Sequence, residues 1–223
     1  MDLKVDEKKI IAFDLDDTLY NEIDFLRSGF KSIATELQDD WKPLLAQMFA
    51  LYRTGDDAFK FVHQNYDMSI HKQLEIYRFH IPEIKPFPGV RSLFKDIVSY
   101  GGKIAVITDG RSRTQRNKIK ALGLNTWIQE IIISEETGHE KPDPFNFKLI
   151  EETFPGHAYC YVGDNLSKDF LIPNKLGWDT ICLMDNGRNI HFNTFECIDD
   201  PLYCPGAFIE KFNDLKVFSE FQK

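Results

Sequence analysis

The sequence predicts an α/β fold with a parallel sheet, interrupted early by a helical insert. Three observations carry this. Short apolar runs recur, each bounded by charge or glycine, as strands buried on both faces are. Downstream of residue 90 these runs alternate with helical patterns, which implies right-handed βαβ units. The stretch from 24 to 80 contains no convincing strand.

The first strand is Ile10-Ile11-Ala12-Phe13, which runs straight into Asp14, Asp16 and Asp17. Side chains at i and i+2 of a regular strand share a face, so Asp14 and Asp16 can act together if the strand continues. A solvated acidic turn is the alternative. Beyond Tyr20, the residues Leu26, Phe30, Ile33 and Leu37 fall on one helical face. Residues 43–52 suit a helix with Pro43 near its first turn, and 56–65 and 69–79 suit two more, with turns at Gly55 and Asp67. The segment 81–89 holds three prolines and a glycine and marks a boundary.

A helix is expected over 90–100, then a second strand at 103–107 ending in Thr108-Asp109-Gly110. A helix over 112–122 is closed by Gly123. A third strand follows at 130–133. Lys141-Pro142-Asp143-Pro144 opens a helix reaching 154, with Asp143 as N-cap and Pro144 as its first residue. The fourth strand, 159–162, ends in Gly163-Asp164. A helix over 168–176, distorted by Pro173, leads to a fifth strand at 179–183. The tail closes with a helix over 205–212, and 186–205 carries no interpretable motif.

Bulk properties narrow the function. The chain has 223 residues, 43% of them hydrophobic and 28% charged, so it can pack a core and is not disordered. A net charge of -8 argues against nucleic acid or an anionic membrane as the main partner. An anionic substrate then needs local positive groups or a metal ion. No apolar run is long enough to span a membrane, and MDLKVDEKK lacks the apolar stretch of a signal peptide, so a cytoplasmic location is expected. Cys160, Cys182, Cys197 and Cys204 form no CxxC pair. Free thiols are expected, since a zinc site from Cys197, Cys204 and His191 fits no standard spacing.

In a parallel sheet the strand tips share one edge, where open α/β sheets keep their chemistry. That edge gathers Asp14, Asp16, Thr108 and Asp164, with Lys141 in the loop after the third strand. Asp14 reads as a nucleophile or metal ligand and Asp16 as a proton donor and acceptor. Asp164 and Asp169 add hard oxygen ligands suited to Mg²⁺; a turn residue and a helix first-turn residue are their ordinary readings. Thr108 with the amides of Asp109 and Gly110 reads as a phosphate cradle or as a strand-ending turn. Lys141 neutralises a transferring phosphoryl group or is a solvated loop lysine. Arg111 binds a substrate anion or faces solvent. Four carboxylates in one pocket need counter-charge, and phosphoryl transfer needs these very parts.

Together these stretches resemble the motifs of the haloacid-dehalogenase-like (HAD) hydrolase superfamily: Asp14-Leu15-Asp16-Asp17-Thr18, Thr108, Lys141-Pro142, and Gly163-Asp164 with Asp169. The resemblance implies a Rossmann-like three-layer core (1–20 and 85–223) whose first strand is central, with a small all-helical cap at 21–84. It implies that Asp14 attacks phosphorus and that Asp16 serves as acid and base and gives a backbone carbonyl to Mg²⁺. Asp14 and Asp164 would ligate the ion by carboxylate, and Asp169 would support it or orient Lys141. Thr108 and the amide of Asp109 would bind phosphoryl oxygens. The family's dehalogenases and phosphonate-cleaving members lack an acid at the position of Asp16, so Asp16 favours a phosphate ester. The expectation is a Mg²⁺-dependent phosphatase of a small phosphorylated metabolite, a sugar phosphate or mononucleotide, working as monomer or homodimer. The alternatives are a phosphotransferase or phosphomutase of the same superfamily, and a non-catalytic module binding a phosphate ligand. Arg53, Lys60, His63 and Asn65, interleaved with Tyr52, Phe59 and Phe61, either touch the leaving group or split into core aromatics and a solvated face.

Overall fold

The chain enters through a short strand, β1 (Asp2–Lys4), and reaches β2 (Lys9–Phe13), whose every residue is buried. Ile11 and Phe13 pack into one apolar cluster and Ile10 and Ala12 into another, so β2 is covered on both faces. The computed structural model describes residues 1–219.

Four helices follow: α1 (Glu22–Leu37), α2 (Lys42–Thr54), α3 (Ala58–Asn65) and α4 (Ile70–Phe79). The expected stripe is real: Leu26, Phe30 and Ile33 are buried and join Leu44, Met48 and Val62 in a cluster of their own. Asp57 and Ser69 cap α3 and α4 by accepting from the amides of Lys60 and Lys72. Beyond the proline-rich segment come α5 (Val90–Ser99), β3 (Lys103–Thr108), α6 (Ser112–Leu122), β4 (Ile128–Ile133), α7 (Ser134–Thr137) and α8 (Phe145–Thr153). Next are β5 (Ala158–Gly163), α9 (Leu171–Lys175), β6 (Asp179–Leu183), α10 (Phe195–Asp199), β7 (Ala207–Ile209) and β8 (Lys216–Phe218).

The main sheet has strand order β4-β3-β2-β5-β6-β7, all parallel, which puts β2 between its neighbours as expected. Phe94, Ile97, Ile119 and Leu122 of α5 and α6 cover one face, and Phe147, Ile150 and Ile172 of α8 and α9 cover the other. Each strand tip therefore points to one edge, framed by helix starts.

The tail departs from expectation. Residues 205–212 are not a helix: Ala207–Ile209 is β7, added to the edge of β6. Ile209, Phe212 and Leu215 are spaced by three and are all buried, which mimics a helical stripe. Gly206 settles the backbone differently, donating its amide to Thr180 Oγ1 at 2.8 Å and opening the strand. The small sheet of β1 and β8 was also not foreseen, because three-residue strands leave no periodicity to read. Pro144 is the N-cap of α8 rather than its first residue, while Asp143 accepts from the amide of Phe145. The helix expected over 168–176 shrinks to α9, since Asp169 is held in the preceding loop by contacts described below.

Candidate active site

Asp14 lies one residue past β2, and its amide donates to Val162 O at 2.9 Å, so the chain still runs beside β5. Its side chain is buried. Asp14 Oδ1 accepts from Lys141 Nζ at 2.5 Å, and the same ammonium reaches Asp169 Oδ1 at 2.7 Å and Tyr161 Oη at 3.1 Å. Lys141 is aimed there because its amide donates to Asp109 Oδ1 at 3.0 Å. The other oxygen of Asp169 accepts the amides of Asp164 (3.2 Å) and Asn165 (2.9 Å). Gly163 makes room for this: a Cβ there would overlap the Asp169 carboxylate.

Burial pushes the Asp14 carboxyl up to about 7, with Asp169 and Asp16 adding repulsion and Lys141 opposing. Burial also works against the charge on Lys141, but Asp14 and Asp169 outweigh it and hold the ammonium well above its ordinary value. Burial and the charges of Asp14 and Asp169 push Asp164 well up.

Asp14, Asp164 and Asp169 each offer a carboxylate oxygen, and these lie within 4.8 Å of one another. Asp169 has both oxygens engaged, which leaves Asp14 and Asp164 facing each other. Thr18 Oγ1 is 3.2 Å from Asp14 Oδ2 and 2.9 Å from Asp164 Oδ1, but its single hydrogen serves one at a time. Asn189 Nδ2 donates to Asp164 Oδ2 at 2.8 Å. Two buried carboxylates sharing one donor, all hard oxygens, fit a divalent cation of the Mg²⁺ kind.

Asp16 belongs to a different set of contacts. Regular strand ends at Phe13, and both oxygens of Asp16 turn to α6. Lys118 Nζ donates to them at 2.7 and 2.8 Å, Gln115 Nε2 donates to Oδ2 at 2.8 Å, and the Tyr20 hydroxyl donates to Oδ1. Burial would raise this carboxyl, but the Lys118 charge and these bonds outweigh it and hold Asp16 below its ordinary value. Lys118 also lies 3.9 Å from Glu22, whose carboxyl burial and Asp16 together push up to about 8.

The loop after β3 differs in one respect from the expected cradle. Thr108 is buried at the tip of β3, and its Oγ1 accepts from Gln115 Nε2 at 2.6 Å. The amide of Gly110 is already spent on Ser134 Oγ at 2.9 Å, so Gly110 shapes the loop rather than offering a donor. Arg111 is exposed and pairs with Glu135 at 3.1 Å, at the rim of the site. Lys168 approaches Asp109 at 3.3 Å.

Several residues here escaped the sequence reading. Gln115 and Lys118 share the buried stripe of α6 with Ile119 and Leu122; two polar residues at i and i+3 on an apolar stripe were the signal. The uninterpreted tail supplies Asn189 and Asn193, the latter donating to Asp164 O at 2.8 Å. Asp17, given no chemistry, is structural: with φ 57 it accepts the amides of Glu22 and Ile190 at 2.7 Å each. Cys160 and Cys182 are buried thiols, and Cys197 and Cys204 are half-buried.

Two spaces adjoin these groups. One of about 110 Å³ is lined by Asp14, Thr108, Lys141 and Asp164. The other, about 500 Å³, lies between α1, α3, α4 and α6 and touches Asp16 and Asp109. Tyr52 and Phe59 line it, whereas Arg53, Lys60, His63 and Asn65 are exposed. No described helix is long and apolar enough to cross a membrane.

Known proteins are similar to this chain in sequence and in fold. The family model for haloacid dehalogenase-like hydrolases matches residues 11–183. A glyceraldehyde 3-phosphate phosphatase of Methanocaldococcus jannaschii is 29% identical over 193 residues, covering 79% of this chain and 85% of that protein. A phosphoglycolate phosphatase of Neisseria meningitidis is 25% identical, covering 68% of this chain and 69% of its own length. Among solved structures, magnesium-bound YfnB of Bacillus subtilis superposes with a TM-score of 0.61 at 21% identity, covering 92% of this chain and 96% of that one.

Proposed function

Since the chain belongs to the haloacid dehalogenase-like hydrolases, we propose that it is a Mg²⁺-dependent phosphatase that hydrolyses a small phosphate monoester through an aspartyl-phosphate on Asp14. The observation that carries this is Lys141 Nζ, held 2.5 Å from Asp14 and 2.7 Å from Asp169 beside Asp164. A buried lysine spanning two carboxylates leaves one strong positive group where a transferring phosphoryl would sit.

In the first half-reaction an Asp14 oxygen attacks phosphorus while the bond from phosphorus to the leaving oxygen breaks. Asp16, an anion in its α6 contacts, takes up a proton from solvent as the entering ester displaces Lys118 and Gln115 from it, and gives that proton to the leaving oxygen. In the second half-reaction Asp16 takes a proton from water, the water oxygen attacks phosphorus, and the acyl-phosphate bond breaks. Inorganic phosphate leaves and Asp14 returns as a carboxylate. Thr108, the amide of Asp109 and Lys141 hold the phosphoryl oxygens. Asp14 and Asp164, with the Asp16 carbonyl, would hold the cation, which supplies charge neutralisation between nucleophile and phosphoryl group. Asp169 orients Lys141, and Arg111 is positioned for a second anionic group of the substrate.

We take 21–84 as a cap on a core formed by 1–20 and 85–223, hinged near Asp24 and the proline-rich segment. The cap's closure excludes water from the acyl-phosphate. The partners are small phosphorylated metabolites, without nucleic acid or membrane, and the chain works as a monomer or homodimer. The test is phosphate release from an aryl phosphate with and without Mg²⁺. Mg²⁺-dependent release that vanishes in Asp14→Asn is expected; equal activity in wild type and variant would sink the proposal.

A further inference from the structure

The substrate of a phosphatase is chosen by the space its leaving group enters. Here that space is the cavity of about 500 Å³ between α1, α3, α4 and α6, which meets the phosphate end at Asp16 and Asp109. Five of its lining residues are Phe25, Phe30, Tyr52, Phe59 and Tyr77. We propose that the preferred substrate is a phosphate monoester whose leaving group carries a flat, largely apolar ring, seated among these side chains. This rests on the phosphatase reading above and narrows it.

Ring geometry supports the choice. Tyr77 sits at the centre, with centroids 5.3 Å from Phe25, 5.6 Å from Phe59 and 6.3 Å from Phe30. The contacts with Phe25 and Phe59 are edge-on, at 77° and 86°, so neighbouring rings present both faces and edges around one space. Tyr77 is pinned from behind: a Cβ on Gly29 would overlap its ring. Such a wall gives a flat apolar ring stacking and edge contacts, and gives a short polyol almost nothing.

Size points the same way. Cavities of roughly 300–1,000 Å³ bury ligands of several ring and chain atoms, whereas a three-carbon ester would leave most of this one to water. Charged and polar groups line the rest of the cavity, among them Glu22, Asp56, Asp57 and Thr114. The hydroxyls of Tyr52 and Tyr77 make no hydrogen bond among the described residues, so they can meet the polar edge of a ring. Arg78 and Arg111 also line the cavity and suit a ring bearing carbonyl oxygens.

The experiment compares esters of equal leaving-group type with the full chain and Mg²⁺: benzyl phosphate and a nucleoside 5′-monophosphate against glycerol 3-phosphate and glyceraldehyde 3-phosphate. The ring-bearing esters should show kcat/KM about 10-fold or more above the three-carbon esters, as stacking allows. Tyr77→Ala and, independently, Phe59→Ala should erase most of that advantage by raising KM for ring-bearing esters. Preference for a three-carbon ester, or a ratio unmoved in the folded variants, overturns the inference. Failure of the underlying reading looks different, since no ester is then turned over. Calorimetric binding of the same esters decides in that event: tighter binding of the ring-bearing pair supports the ring pocket, and equal or absent binding overturns it.

Discussion

Two buried lysines hold two aspartates two residues apart, and they do opposite things. Lys141, reached through the loop after α7, meets Asp14 and Asp169 at the sheet edge with 4% of its side chain exposed. Lys118, on α6, also 4% exposed, holds both oxygens of Asp16, helped by Gln115 and Tyr20, with Glu22 farther off at 3.9 Å. At the first site one ammonium is shared by two carboxylates with a third nearby, and burial wins: Asp14 is pushed up to about 7. At the second, one carboxylate gathers several donors, and Asp16 is held down. The contrast shows that charge count per donor, not burial alone, sets the state of an acid. It also fits a division of labour. The crowded acid is the one a cation would relieve, and the well-supplied acid is ionised at rest and ready to take a proton.

The largest effect that would test this contrast is on Lys141. Lys141→Met should lower kcat by about 10²–10³-fold, the cost of losing one preorganised positive group at a developing charge. It should also cost about 3–5 kcal/mol in chemical denaturation without added metal, because Asp14 and Asp169 remain buried without their positive partner. Lys118→Met should be milder on both counts, about 10-fold in kcat and about 1–3 kcal/mol, since Asp16 keeps Gln115 and Tyr20 and is 19% exposed. Equal losses in both variants would break the comparison.

A smaller effect is the pH dependence of stability in chelator. Asp14 (about 7 in the fold against 3.8) and Glu22 (about 8 against 4.5) are acids with raised values. Their neutral forms favour the fold, so this contribution is full below about pH 4 and is lost as pH rises through about 7 to 8. Tm in chelator should fall between about pH 5 and pH 8, and Asp14→Asn should flatten the slope. Mg²⁺ should raise Tm more at the higher pH, because it must displace a proton from Asp14 at the lower one. A Tm that climbs over this window, with Mg²⁺ equally effective at both ends, would contradict the account. The smallest effect is at the surface: Lys31→Ala, which removes the 2.7 Å pair with Glu83, should change stability by about 1 kcal/mol or less.

The two sites also differ in how far the sequence discloses them. Asp14, Lys141, Asp164 and Asp169 follow apolar strands or sit in the loops after them, so the parallel sheet alone brings them to one edge. The Asp16 cluster depends on which face α6 turns inward and on Tyr20 folding back from the loop after β2, and no strand tip announces that. Asn189 and Asn193 reach Asp164 from a segment without periodicity, where only the folded path shows the contact. The order of the six-stranded sheet was legible in its central part because buried strands there are continuous apolar runs. β7 was not, because an edge strand of three residues followed by Phe212 and Leu215 carries a spacing that a helix also has.

In the proposed cycle Asp14 carries the phosphoryl group. The direct measurement is a single turnover of an aryl phosphate with Mg²⁺, quenched in acid and read by mass spectrometry of the peptide spanning residues 10–20. A phosphoryl group on Asp14, formed and lost at rates matching turnover and absent in Asp14→Asn, is the predicted result. Full turnover by Asp14→Asn, or a phosphoryl group on another residue of a competent enzyme, would contradict it.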